Sequence, residues 1–391
     1  MASPNCCGCL ALILSGLKSN KIEFNPFGVK RAIQNTALPV DEIIGSGAGL
    51  IQVEKVYDYL VDNKDSLFQK MMFDIKYSYK NKSYRGIYLK NPDEVNETRD
   101  YAITIEPQFF DNEGRSYELT DTNKSDSDGL LSLQKEKISL NRKLALVIEN
   151  NDNATQWIEC PSHLYLVNSS RQFFIRIRAN ELEEGRFYYT LIKAYDMEDP
   201  KKPCLFRVPI TVVKPFVFNS AKKLANDFEL DFKNVAFKQG QINRHFIRVP
   251  FGATHGELTF TNDLVNESRD HAPLLFIQTF TLGNFRTQND AAKEESYRLN
   301  ATNDFKFLFK TQPNKIIQVT IAKNWSNIGQ ITANYKIKLN GLYPKSSHEL
   351  CCLSSQPYPI EVGSYLRNED CEPSIQYKYH VQPLKYDYAF F

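Results

Sequence analysis

The residue types best suited to chemistry stand at the front of the chain, in Met1-Ala2-Ser3-Pro4-Asn5-Cys6-Cys7-Gly8-Cys9-Leu10-Ala11-Leu12-Ile13-Leu14. Pro4 suits the first turn of a helix, where the early N–H groups have no internal acceptor. From Cys6 onward the residues are small or apolar on every side, the pattern of a helix enclosed by protein rather than one lying on a surface. The N-terminus of such a helix offers free amides and the positive end of its dipole, which suits a developing oxyanion. A plain buried helix is the structural alternative. A signal peptide fits less well, because the basic leading region is missing and Pro4 and Asn5 stand in its place. Cys6, Cys7 and Cys9 point in different directions on a helix, with no His or Cys pair near in sequence. A buried structural role is therefore expected of them, and no metal or other cofactor.

The six histidines are the other source of acid–base chemistry. His163 and His245 fall in strand-like runs beside Ser162 and Arg244. Neighbours on a strand point to opposite faces, so Ser162 and His163 are not expected to form a nucleophile–base pair, and ordinary structural hydrogen bonding is the expected role of both histidines. The cluster Gly45-Ser46-Gly47-Ala48-Gly49 opens a helix, as a phosphate cradle does. No buried strand precedes it and no ribose-binding acid comes after it, so tight turns are the expected reading.

Two further helices are expected after the front stretch. One runs from Gly28 with Val29, Ala32, Ile33 and Ala37 inward and Lys30, Arg31 and Gln34 outward, stopping before Pro39. Another carries Val53, Val56, Tyr57 and Leu60 on one face. From about Ser66 the period changes to two, with Phe73, Ile75, Tyr77 and Tyr79 alternating with polar residues. Strand-like runs come next at 87–89, 101–105, 144–148, 173–177 and 187–194, the pattern of an antiparallel sandwich. The stretch 111–128 is polar and reads as an exposed loop. The run 205–213 reads as an edge strand because Pro209 cannot donate to a central ladder, and Lys214-Pro215 marks the exit. A second strand-rich block has runs at 241–249, 256–260, 274–281, 305–310, 316–322 and 331–339, with 284–293 as a loop. Ile317, Val319 and Ile321, and then Ile331, Ala333, Tyr335, Ile337 and Leu339, alternate as one buried face does.

At 391 residues the chain is long enough for two or three domains. A charged fraction of 24% and a hydrophobic fraction of 42% suit a soluble globular protein. With 48 Lys and Arg against 46 Asp and Glu, the net charge of +2 argues against nucleic-acid and anionic-membrane partners. No apolar run reaches the roughly 18 to 20 residues that span a bilayer. Eight cysteines, two of them adjacent at Cys351 and Cys352, do not resemble a secreted disulfide framework and suit a reduced, cytoplasmic location. The N-x-S/T sequons at Asn96, Asn153 and Asn324 are then coincidental.

Met1, Ala2 and Pro4 match the residues that trail the nucleophile in the subtilisin-type pattern G-T-S-M-A-x-P. Further stretches resemble the tripeptidyl peptidase II family of large subtilisin-type exopeptidases. They are Gly49-Leu50-Ile51-Gln52-Val53-Glu54-Lys55-Val56-Tyr57-Asp58-Tyr59-Leu60, Arg85-Gly86-Ile87-Tyr88-Leu89 and Trp157-Ile158-Glu159-Cys160-Pro161-Ser162-His163-Leu164, with the run 205–213 and Gly240-Gln241-Ile242-Asn243-Arg244-His245-Phe246-Ile247-Arg248-Val249-Pro250. The resemblance covers most of the chain.

The resemblance implies a mainly β chain in four parts: a short α-helical remnant of a subtilisin-like α/β domain at 1–66, an immunoglobulin-like β-sandwich at 67–216, a galactose-binding-like jelly roll at 217–345, and the start of a further immunoglobulin-like domain at 346–391. It implies a serine exopeptidase that removes N-terminal tripeptides from oligopeptides in the cytoplasm and works as a large homo-oligomer. In the family the catalytic Asp, His and oxyanion Asn all precede the nucleophile, so Met1, Ala2 and Pro4 are expected to be a motif remnant and the chain itself inactive. The alternative is a non-catalytic β-sandwich module for interaction or assembly. A carbohydrate-binding role rests on the jelly-roll analogy alone. Helices that evolved to pack on absent strands are expected to be loose, with Leu10, Ile13, Leu14 and Ile33 partly exposed.

Overall fold

The computed structural model describes residues 2–40, 43–79, 82–110, 135, 137–149, 151–199, 203–218, 228–261, 273–283, 293–298, 305–325, 329–344 and 362–364. The expected loop at 111–128 and the pair Cys351-Cys352 lie outside them.

Four helices open the chain: α1 (Ala2–Ser19), α2 (Pro26–Thr36), α3 (Ile43–Ser46) and α4 (Val53–Asp62). Asn25 starts α2 by accepting from Gly28 N at 2.8 Å, with Pro26 at the position where a proline costs no bond. Gly47 and Gly49 adopt φ of +61° and +112°, and Gly49 lies against the Leu38 carbonyl where an added Cβ would come within 2.0 Å. The glycine cluster is thus turn chemistry. Ile13, Leu17, Val29, Ala32, Val56 and Leu60 form the core that joins α1, α2 and α4. Leu10, Leu14 and Ile33 are half-buried as expected, whereas Ile13 is 1% exposed, a correction: α2 and α4 suffice to cover it.

Ten strands then build two facing sheets. They are β1 (Met71–Tyr79), β2 (Lys82–Tyr84), β3 (Ile87–Leu89), β4 (Thr98–Phe109), β5 (Asn141–Ile148), β6 (Ile158–Glu159), β7 (His163–Val167), β8 (Arg171–Arg178), β9 (Arg186–Asp196) and β10 (Phe206–Lys214). The sheets run β2-β1-β4-β8-β6 and β3-β10-β9-β5-β7. Their inward residues, among them Ile103, Ile105, Ile175, Ile192, Ala194 and Val208, make one core. α5 (Pro92–Val95), closed by a capping box between Asn91 and Glu94, links β3 to β4.

β10 is not an edge strand, which corrects the expectation from Pro209. It pairs with β9 and, in parallel, with β3. The proline is accommodated because its register partner Leu191 turns its carbonyl to Glu149 N, just after β5, 2.9 Å away, and because β3 pairs only from Ile210 onward. Gly86 lets β3 arrive there: an added Cβ would come within 2.6 Å of Pro209 Cγ.

Pro215 separates β10 from β11 (Phe216–Val217). After it come β12 (Glu229–Phe237), β13 (Ile242–Arg248), β14 (Ala253–Thr261), β15 (Leu274–Leu282), β16 (Lys293–Arg298), β17 (Phe305–Lys310), β18 (Ile316–Lys323), β19 (Ile331–Pro344) and β20 (Val362–Ser364). The sheets run β11-β13-β18-β15-β16 and β12-β19-β14-β17, with β20 beside β19. The alternating residues of β18 and β19 singled out in the sequence all face the core between them. The expected loop at 284–293 ends inside a strand: 284–292 lie outside the described residues, and Lys293 begins β16, a polar edge strand that offers the core only Tyr297. β12 has no strong sequence signal because a bulge between Phe232 and Val235, with Asn234 at φ +53°, breaks its alternation.

Candidate functional site

Ala2 and Pro4 occupy the first turn of α1 and are exposed; Met1 lies outside the described residues. Cys6 and Cys7 are exposed and Cys9 is half-buried, its Sγ 3.5 Å from Asn5 Oδ1. The expectations of an enclosed helix and buried cysteines are therefore corrected. Packing on α4 begins only at Leu10, and Leu12 on the far side remains 67% exposed. The first turn presents amides without intrahelical acceptors to solvent.

Ser162 and His163 do meet. Ser162 sits in the bend before β7, so strand alternation does not apply to it, and its Oγ lies 2.6 Å from His163 Nδ1. Thr254 Oγ1 and His255 Nδ1 repeat the arrangement at 2.9 Å near the start of β14. A triad hydroxyl meets Nε2 while an acid orients Nδ1; here the neighbouring hydroxyl takes the acid's place at Nδ1. His245 is enclosed instead. Its Nε2 lies 2.7 Å from the Tyr335 hydroxyl, the Phe232 ring lies 4.2 Å from its own, and burial pushes the imidazole down to about 4. It is neutral at physiological pH and faces the core of the second sandwich.

Burial raises the thiols of the cysteines in the first sandwich, Cys160 to about 11 and Cys204 above its ordinary value, so neither is a thiolate nucleophile at neutral pH. Among the described residues no group of three or more His, Cys, Asp or Glu side chains is placed to hold a metal. No described helix is long and apolar enough to cross a membrane.

Buried cations, Arg31 and Lys214 among them, also escaped the sequence reading. Arg31, expected outward, is 7% exposed and donates to the Phe68 and Met71 carbonyls. Lys214 donates to Val95 O at 2.8 Å and Ala179 O at 3.0 Å. Desolvation lowers both pKa values. A helical wheel could not place Arg31 inside, because the carbonyls that draw it in lie beyond its own helix.

The first sandwich, residues 71–213, matches the family model described as "Tripeptidyl-peptidase II, first Ig-like domain", and residues 237–329 match "TPPII, galactose-binding domain-like". The chain belongs to the tripeptidyl-peptidase II family. It is 28% identical over 384 residues to Tripeptidyl-peptidase 2 of Drosophila melanogaster, which covers 97% of this chain and 25% of the relative. To Tripeptidyl-peptidase 2 of Arabidopsis thaliana it is 27% identical over 386 residues, covering 95% of this chain and 25% of the relative. A crystal structure of tripeptidyl peptidase 2 superposes with a TM-score of 0.71 at 27% identity, covering 89% of this chain and 27% of that one. The chain thus spans about a quarter of the length of the curated relatives it matches. Its mainly β architecture, an immunoglobulin-like sandwich and then a galactose-binding-like one, is that of the tripeptidyl-peptidase II family.

Proposed function

We propose that this chain is the sandwich-bearing part of a tripeptidyl aminopeptidase, a serine exopeptidase that removes tripeptides from free N-termini of oligopeptides in cytoplasmic protein turnover, and that these 391 residues alone release no tripeptides. The single observation that carries the reading is the continuity of the likeness. One solved tripeptidyl peptidase 2 structure covers 89% of the chain, helices and sandwiches together. The side-chain chemistry supports the inactivity: the described Ser–His and Thr–His contacts are between sequence neighbours at Nδ1, and His245 is enclosed. On this reading Met1, Ala2 and Pro4 are residues that trail the nucleophile in the family motif, and the helices and strands hold the exposed first turn of α1 in place. The parts at 1–66, 67–216, 217–345 and 346–391 are the corresponding domain assignment. Incubating the purified chain with an unblocked oligopeptide and monitoring tripeptides by mass spectrometry tests the reading. No release above a buffer control is expected; release that persists after further purification overturns the inactivity.

An assembly role is the second reading. Tyr165, Phe174 and Leu308, each 58% exposed, and Trp325, 80% exposed, put large apolar side chains on the surfaces of both sandwiches. Sedimentation velocity across a concentration series is expected to show self-association. A single monomeric species throughout rules this role out for the isolated chain.

A further inference from the structure

Among the described residues Arg31 has no carboxylate as a hydrogen-bond acceptor. Its guanidinium donates to the carbonyls of Phe68 and Met71, at the end of the 3-10 turn Leu67–Lys70, and stands over the Phe73 ring with its carbon 5.4 Å from the centroid. Of the two carbonyls between them, Gln69 O is served from the N-cap of α2, Asn25 Nδ2 donating to it at 2.6 Å while Asn25 Oδ1 caps the helix, and Lys70 O accepts from Phe110 N at 2.9 Å. Phe68 O also accepts from the Met71 N–H, which closes the turn, while the last carbonyls of a turn lack partners further along it and long basic side chains are suited to take them. Here the donors arrive from another element.

Gly28 lies close against this rim, where an added Cβ would stand 3.3 Å from the Gln69 carbonyl oxygen. At the other end of α2, Asn35 Nδ2 donates to Cys204 O at 2.9 Å, and Arg207 Nη2 donates to Gln34 O at 3.2 Å and to Asn35 Oδ1. Phe27 and Phe110 close the side, ring centroids 4.3 Å apart. Every one of these partners, from Phe68 to Arg207, belongs to the first sandwich or to the turn leading into it. Pulling α2 away strands a buried guanidinium and buried carbonyls together, and such groups are costly to leave unpaired.

We propose that the helical segment 2–62 and the first sandwich open as one cooperative unit, with Arg31 as the clamp between α2 and the carbonyl rim at Phe68, Gln69 and Met71. The inference is independent of the peptidase reading. It makes Arg31 a positioning residue: α1 is carried by the α1–α2–α4 core, so its orientation is set by that of α2 on the sandwich.

Denaturant-dependent hydrogen exchange on the whole chain tests it. In the wild type, amides of α2 and α4 are expected to exchange through the same opening, with the same denaturant slope, as those of β4 and β9. Arg31→Met is expected to raise exchange in α2 and α4 by roughly 100-fold, the scale of leaving a buried carbonyl, that of Met71, unserved. Arg31→Lys, a point charge without the fork, is expected to recover only part of that protection. A loss of protection in the strands together with the helices in either variant also supports a single unit. A wild-type opening of the helices with a smaller slope than the strands overturns the proposal, as do unchanged helix rates in Arg31→Met. Should Arg31→Met not accumulate as folded chain, Arg31→Lys decides alone: wild-type protection throughout overturns the clamp.

Discussion

His245 bonds its Nε2 to the Tyr335 hydroxyl in a site walled by Phe232, and burial holds its pKa near 4 against an ordinary 6.5. As pH falls, the unfolded chain takes up this proton from 6.5, while the native imidazole resists until about 4. The stability that the neutral ring contributes is whole above the first value and is lost between the two, by about 3 kcal/mol. Urea melts of wild type and His245→Gln from pH 7.5 to 4 should diverge by that amount, the wild type having the steeper acid slope; parallel profiles contradict the assignment. Gly86 makes a steric prediction at the same scale. Gly86→Ala drives a methyl to within 2.6 Å of Pro209 Cγ and 2.8 Å of its carbonyl oxygen, and should lower stability by about 2 kcal/mol in a thermal melt. Neither environment is legible from the sequence. His245 lies in an alternating run whose face is evident only once β12 and β19 cover it, and the partner of Gly86 lies more than a hundred residues further along the chain.

Element by element, what could be read was what the chain's own period encodes. The inward sets Ile317, Val319, Ile321 and Ile331, Ala333, Tyr335, Ile337, Leu339 are buried without exception, because a two-sheet sandwich requires one apolar face per strand. Ile317→Val should accordingly cost about 1 kcal/mol, and Thr320→Ala on the opposite face of β18 less than about 0.5 kcal/mol, both by denaturant midpoint. Equal costs would mean the strand is not one-sided. Period failed where an element's neighbours set the outcome. Pro209 suggested an edge, yet β10 pairs on both sides because the proline's missing donor falls where no acceptor is waiting. The expected loop at 284–293 runs into the first residue of β16, an edge strand that needs little apolar content, and the start of α1 reads as enclosed because its composition is silent about what covers it. Candidate chemistry suffered most: the proximity of Ser162 to His163 depends on a bend before β7, which periodicity does not register.

The two sandwiches meet along a seam. Val213 and Phe187 of the first pack on Phe246, Ile316 and Leu282 of the second, with the Phe187 and Phe246 rings edge to face at 6.0 Å. The Arg244 guanidinium lies over Phe187, and Lys90 Nζ donates to Gly283 O at 3.3 Å. Truncating the central ring should uncouple the halves. Phe246→Ala is expected to split a shared calorimetric transition into two, at a cost of about 3 kcal/mol; one undivided endotherm would place the coupling elsewhere, in the elbow where Gly185, at φ +81°, receives the Phe216 ring.

The bulge in β12 has a consequence for how such molecules behave when crowded. β12 is the outermost strand of its sheet, and an outermost strand invites a stranger's backbone to zip alongside. Asn234 turns left-handed there and gives its N–H to Asn334 Oδ1 at 2.6 Å, while the exposed Asp231 and Lys233 flank the kink. An incoming strand finds the rail bent and charged after a few residues, so fibrillar growth from this border of the second sandwich is blocked by the protein's own geometry.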